Sequence, residues 1–132
     1  MLTRTAATAF LLLLCLSTAF AEDRLGVAVY PGAQYDQART SLLKDSLSAQ
    51  GAAYRTKDDI AKVIAFYRKQ GLLFLKMGGP ANKVARFKKT GTGVDVVVQN
   101  PWKDSKTGAT MTDTLILIYQ KAEKGIKPDV TI

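Results

Sequence analysis

The sequence predicts an α+β fold: two helices packed on one face of a mainly antiparallel β-sheet that ends in a three-strand meander. Three observations carry that expectation. Apolar residues recur at helical spacing from 36 to 50 and again from 58 to 70. Beyond residue 72 that period gives way to short β-rich segments. Those segments are divided by runs of Gly, Thr, Asn, Pro and Asp, the residues of turns. Each such strand offers one apolar face and the second helix one apolar stripe, so burying them together gives a layered domain.

The elements follow in order. Leu25, Val27 and Val29 alternate with Gly26, Ala28 and Tyr30 ahead of Pro31-Gly32, the pattern of a short strand. From Asp36 to Gln50, Ala38, Leu42, Leu43 and Leu47 lie on one helical face, and Gly51 stands where a C-terminal cap belongs. In the second helix, Asp58 to Gln70, the residues Ile60, Val63, Ile64 and Tyr67 fall at i, i+3, i+4 and i+7. Thr56 with Asp59 three residues on reads as a capping box, the adjacent carboxylates Asp58 and Asp59 suit the positive helix end, and Gly71 supplies a left-handed exit. Strands are expected over 72–77, 84–89, 94–99 and 114–120. Thr90 to Gly93 is a hairpin loop between two of them, and Asn100 to Asp113 is a longer turn-rich one. Gly78-Gly79-Pro80 is the expected hinge between the helical half and the meander.

Residues 1–21 read as a secretory signal peptide outside the fold, leaving 22–132 as a single α+β domain. Arg4 provides the cationic start, Ala6 to Leu16 the apolar stretch, and Ala19-Phe20-Ala21 the small-residue cleavage site. The apolar stretch has eleven residues, where a membrane span needs about 20. Lipid attachment at Cys15 is disfavoured because Leu14 before it is not small. After cleavage the chain has 111 residues, a formal charge of +7, and neither cysteine nor histidine. It would then need no disulfide in an oxidising compartment and depend on its core alone.

Those absences exclude chemistries. Without histidine there is no Ser-His-Asp or Cys-His nucleophile system and no His-ligated zinc, and neither metal nor cofactor is expected. Ser41-Leu42-Leu43-Lys44 with Lys106-Thr107-Gly108 matches two of the three motifs of penicillin-binding proteins and β-lactamases. Five serines and 13 lysines in 132 residues give about 0.5 S-x-x-K matches by chance, the S-x-N element is missing, and K-T-G falls in a loop instead of a strand. Asp36, Asp45, Asp95, Asp104 and Asp113 are scattered singles in the sequence, not a glycosidase pair. Asp104 to Gly108 puts Lys106 where a calcium loop wants an oxygen. A histidine-free hydrolase or lyase using carboxylate, lysine or tyrosine groups stays as the alternative function.

Tyr30-Pro31-Gly32-Ala33, followed by Tyr54-Arg55-Thr56-Lys57-Asp58 and by Val63, Phe66 and Tyr67, resembles a pattern in small exported bacterial proteins and lipoproteins of unknown function. The resemblance covers about residues 30 to 70 and implies a bacterial envelope location without implying an activity. Leu72-Leu73 stands after Gly71 where that pattern often has tryptophan. Read physically, the same residues end a strand, cap a helix and fill a core.

The remaining signal is charge. Lys83, Arg86, Lys88 and Lys89 crowd one expected strand, Lys103 and Lys106 sit in the long loop, and Lys121, Lys124 and Lys127 follow the last strand. In antiparallel order Lys89 and the long loop lie at opposite ends, so one continuous patch is not implied. The expected partner is an anionic envelope component: lipid, lipopolysaccharide, cell-wall polymer or acidic protein. No nucleic-acid-binding motif accompanies the lysines. Trp102, the single tryptophan, is either an exposed anchor for a partner or a core residue folded over the sheet edge. The expected protein is thus a periplasmic or extracellular non-enzymatic binding or accessory protein. N-terminal sequencing of protein from its native host should give Glu22 as the first residue. An intact Met1, or lipid mass on Cys15, would overturn the export assignment.

Overall fold

The computed structural model describes residues 22–77 and 83–121. The expected signal segment, the expected hinge at Gly78-Gly79-Pro80, and Lys124 and Lys127 lie outside them. Strands β1 (Asp23–Arg24) and β2 (Val27–Ala28) pair antiparallel across Leu25 and Gly26. Leu25 and Gly26 have φ of 54° and 80°, the two left-handed residues that a tight hairpin turn requires. The single strand expected from Leu25 to Val29 is therefore a hairpin, because Gly26 lets the chain reverse within it. The next elements are β3 (Gln34–Tyr35), α1 (Gln37–Leu47), β4 (Ala49–Thr56), α2 (Ile60–Arg68), β5 (Leu73–Met77), β6 (Lys83–Lys89) and β7 (Val94–Asn100). A small hairpin, β8 (Trp102–Lys103) and β9 (Thr110–Met111), then leads to β10 (Thr114–Lys121). The main sheet has six strands in the order β3-β4-β10-β7-β6-β5, and every neighbouring pair is antiparallel.

The two helices do not share a face. Val63, Ile64 and Tyr67 of α2 are buried with Ala52, Tyr54, Ala85, Phe87, Val96, Val98, Ile116 and Ile118. Leu43 of α1 is buried with Ala49, Val97 and Tyr119, while Ala53 and Leu115 pack with Trp102 on that same side. The two sets alternate along β4, β7 and β10, so they occupy opposite faces of the sheet. This corrects the expectation of both helices on one face. The reason lies in β4, a strand the sequence reading placed partly in a helix and partly in a connection. Chain enters β4 from a helix on one face and leaves it to a helix on the other. Val96, Val97 and Val98 are all buried in succession, the mark of a strand covered on both sides.

Helix limits shift for local reasons. Helix α1 ends at Leu47 and not at Gln50, because Ser48 adopts the left-handed conformation (φ 52°) and its N–H returns to Leu43 and Lys44 carbonyls. Gly51, expected as a cap, lies inside β4, where a Cβ would come within 2.1 Å of the Ile118 carbonyl oxygen. That closeness excludes any side chain. Asp36 caps α1 by accepting from the Arg39 N–H at 2.8 Å. In α2 the capping box does not form. The helix starts after Asp59, which makes no side-chain cap bond, while the Thr56 hydroxyl accepts from the Asp58 N–H at 3.2 Å in a local turn of its own. Asp58 instead accepts from the Tyr30 hydroxyl at 2.5 Å. Gly71 takes the left-handed exit at φ 77°.

A buried tyrosine joins the N-terminal segment to this core. The Tyr67 hydroxyl donates to the Ala28 carbonyl at 2.9 Å and accepts from the Tyr30 N–H at 3.1 Å. The packing gives a direct test on α2. Val63 is fully buried and Lys62 is exposed, so Val63→Asp should cost more than about 4 kcal/mol and unfold the domain, whereas Lys62→Asp should stay within about 0.5 kcal/mol. Equal melting temperatures for the two variants would refute the arrangement.

Candidate functional site

Trp102 begins the β8–β9 hairpin, and its position decides what surrounds it. It is only 4% exposed and packs on Ala53 and Leu115 of the α1-side face. Its indole N–H donates to Asp113 at 3.1 Å, and the guanidinium carbons of Arg39 and Arg55 lie 5.4 Å and 5.0 Å from its ring centroid. Both are within cation–π range. So placed, Trp102 is a core residue and not the exposed anchor that its loop position allowed.

The same two arginines link three of the scattered aspartates into one chain. Arg39 bonds Asp104 at 2.8 Å, Arg55 bonds Asp113 at 2.7 Å, and Arg55 reaches Asp36 at 3.3 Å. The Arg39 Nε is buried without an acceptor, 3.9 Å from Asp36. Hydrogen bonding to Arg39, with help from the Lys106 N–H, holds the Asp104 carboxyl below its usual range, and the bond to Asp113 raises Arg55. Sequence reasoning missed this cluster because its members come from an α1 cap, β4 and the long loop. Among the described residues no three of His, Cys, Asp or Glu converge on a metal-sized site. Lys106-Thr107-Gly108 lies in the turn closed by the Gly108 N–H to the Asp104 carbonyl at 2.7 Å. Ser41 and Lys44 line a surface depression of about 710 Å³ on α1 that these three residues do not touch.

The basic residues divide between faces and ends. Arg86 and Lys88 alternate with the buried Ala85 and Phe87, so they point to the α1-side face. Lys83 and Lys89 have the other parity. Lys88 pairs with Asp95 at 3.5 Å, and the Lys89 ammonium donates to the Gly26 carbonyl at 2.8 Å. Lys83 opposes Asn100 in the sheet and so lies at the same end as Lys103 and Lys106, while Lys88 and Lys89 lie at the far hairpin end. Among the described residues Lys83, Arg86, Lys103 and Lys106 form no ion pair.

Coverage of the two faces is unequal. The α2 face is closed by α2, by Val27 and Val29, and by Phe66, Leu72 and Phe74. On the other face Leu43 of α1 is buried against β4, β7 and β10, and the outward row Leu117-Val97-Arg86 runs from beside the helix toward the β5 edge. At that edge Leu73 and Leu75 are 50% and 46% exposed. Between α1 and the long loop lies a groove of about 330 Å³, lined by Leu42, Leu43, Leu47, Trp102, Leu115 and Leu117, with Lys103 among its polar borders.

No family model matches the chain, and searches of curated proteins and of solved structures return no significant match. A pH test follows from Asp104. Its lowered folded-state pKa contributes stability that is present above the ordinary carboxylate value of 3.8 and is lost as pH falls through the lowered one. Asp104→Asn should lower the melting temperature at neutral pH and flatten its fall in acid. An unchanged acid profile would show that the Arg39 contact does not support the fold.

Proposed function

We propose that this chain is an exported, non-enzymatic binding protein of the bacterial envelope that engages an anionic partner through the α1-side face of its sheet. The observation that carries this reading is Arg86, an exposed cation without an ion-pair partner among the described residues, on the part of the sheet beyond α1. Lys88 stands two residues along the same face. The signal-like leader and the Tyr30-Pro31-Gly32-Ala33 resemblance support the envelope location. Among the described residues no helix is long and apolar enough to cross a membrane. Lipid head groups, lipopolysaccharide, cell-wall polymers and acidic proteins share the chemistry this face would recognise: distributed negative charge.

One observation favours the hydrolase alternative: Asp36, Asp104 and Asp113 are linked through two arginines. Each is thereby held as a charge partner, and Asp104 is pushed away from the range of a general acid. The binding reading needs no such group.

Retention on phosphatidylglycerol vesicles or cell-wall material tests the reading. Arg86→Glu should weaken it strongly at low salt while changing stability by less than about 1 kcal/mol, since the residue is exposed. Retention should also fall toward physiological salt, where exposed charges are screened over about 8 Å. Lys88→Glu is the poorer probe because it would place a like charge beside Asp95. No retention at low salt, or retention indifferent to Arg86→Glu, would end the proposal.

A further inference from the structure

The groove between α1 and the long loop joins an apolar wall to a cationic border. Its walls are Leu42, Leu43 and Leu47 on one side and Trp102, Leu115 and Leu117 on the other. Leu47 remains 40% exposed, so the helix presents it to solvent at the groove instead of burying it. The polar border carries two cations in different settings. Arg39 is neutralised by Asp104, whereas Lys103 is exposed and pairs with no carboxylate among the described residues. The groove therefore combines six apolar side chains with a polar border of Arg39, Ser46, Gln99, Lys103 and Ser105, in which Lys103 is the cation without an ion pair among the described residues. Its volume of about 330 Å³ stands at the small end of the roughly 300–1,000 Å³ typical of ligand sites. That is room for one slender chain and not for a two-chain lipid. Leu117 at its floor continues through Val97 to Arg86 along one register row, two strand spacings or about 10 Å away.

We propose that this groove holds the alkyl chain of a single-chain anionic amphiphile, a free fatty acid in chemical class, with the carboxylate at Lys103. Burial of the chain against the leucines supplies the affinity, and the ammonium selects a charged head over a neutral one. The proposal rests on the reading of this side as a surface for anionic partners and narrows it to one ligand class.

Trp102 lines the groove and is the single tryptophan, so its emission reports occupancy without a label. Decanoate, titrated below its micelle concentration, should change Trp102 emission saturably, and decanol of the same chain length should bind about tenfold more weakly. Leu47→Glu should abolish the decanoate response. Lys103→Glu should weaken decanoate about tenfold and leave decanol unchanged. Both sites are exposed enough that folding should persist, which circular dichroism checks. An emission that decanoate does not change, a Leu47→Glu variant that responds like the parent, or a response to phosphatidylglycerol vesicles alone would overturn the proposal. Vesicle retention that survives loss of the decanoate response would remove the groove and leave the broader binding reading standing. Decanoate binding without retention would do the reverse.

Discussion

Burial of β4 and β10 on both faces at once is the constraint on which the other features depend, because a strand with no solvent face must satisfy two packing layers with one short sequence. Strand β10 meets it with Leu115, Ile116, Ile118 and Tyr119, all buried. Strand β4 meets it with small residues, Ala49, Ala52 and Ala53, plus the large Tyr54 on the α2 side. Alanine there lets α1 lie close to the sheet, and Gly51 lets the β10 backbone approach where any Cβ would collide. Two covers are then required, and the chain supplies them by placing β4 between its two helices.

The covers are unequal in what they add. Helix α2 is assisted by the N-terminal segment, which Tyr67 holds from inside the core through one bond to Ala28 and one from Tyr30. Burial keeps that phenol protonated well above its ordinary range, so the hydroxyl stays a donor. The hydrogen bond to Asp58 likewise pushes Tyr30 up to about 12. Among the described residues helix α1 has no comparable second layer. Its assistance comes from the β8–β9 hairpin, which brings Trp102 beneath Arg39 and Arg55 at one end of the helix. The surface past α1 is left to the side chains of β6 and β5.

The sequence made the outlines legible where periodicity was strong. Helix α2, the α+β class and the β-rich C-terminal half follow from spacing alone. Strand β4 was illegible for a physical reason: Gly51-Ala52-Ala53 has low strand propensity, and its residues were selected by close packing on two sides, a property of the tertiary structure. The face shared by the helices failed with it, since the crossing from one face to the other occurs through that strand. At the candidate site the identity of the basic residues was legible, and their division was not. Parity along β6 separates Arg86 and Lys88 from Lys83 and Lys89, but which parity faces solvent depends on what covers each side. The Asp36, Arg39, Arg55, Asp104 and Asp113 cluster left no local signal, because its members lie up to 77 positions apart in sequence and meet through the pairing of β4 with β3 and with β10.

That cluster also shapes the outer field. Asp36, Asp104 and Asp113 are turned toward arginines, Asp95 toward Lys88, and Asp58 toward a tyrosine. Those five carboxylates are thus engaged in internal contacts, while Lys83, Arg86, Lys103 and Lys106 form no ion pair among the described residues. Arg86 and Lys88 stand two residues apart on one strand, about 7 Å, within the roughly 8 Å over which physiological salt lets exposed charges act together. Lys103 stands at the other end of the sheet, beside the apolar groove. The proposed binding reading therefore calls for a partner whose negative charge is spread, or one that joins a charge to an apolar chain, since a compact single anion would need several donors converging on one point.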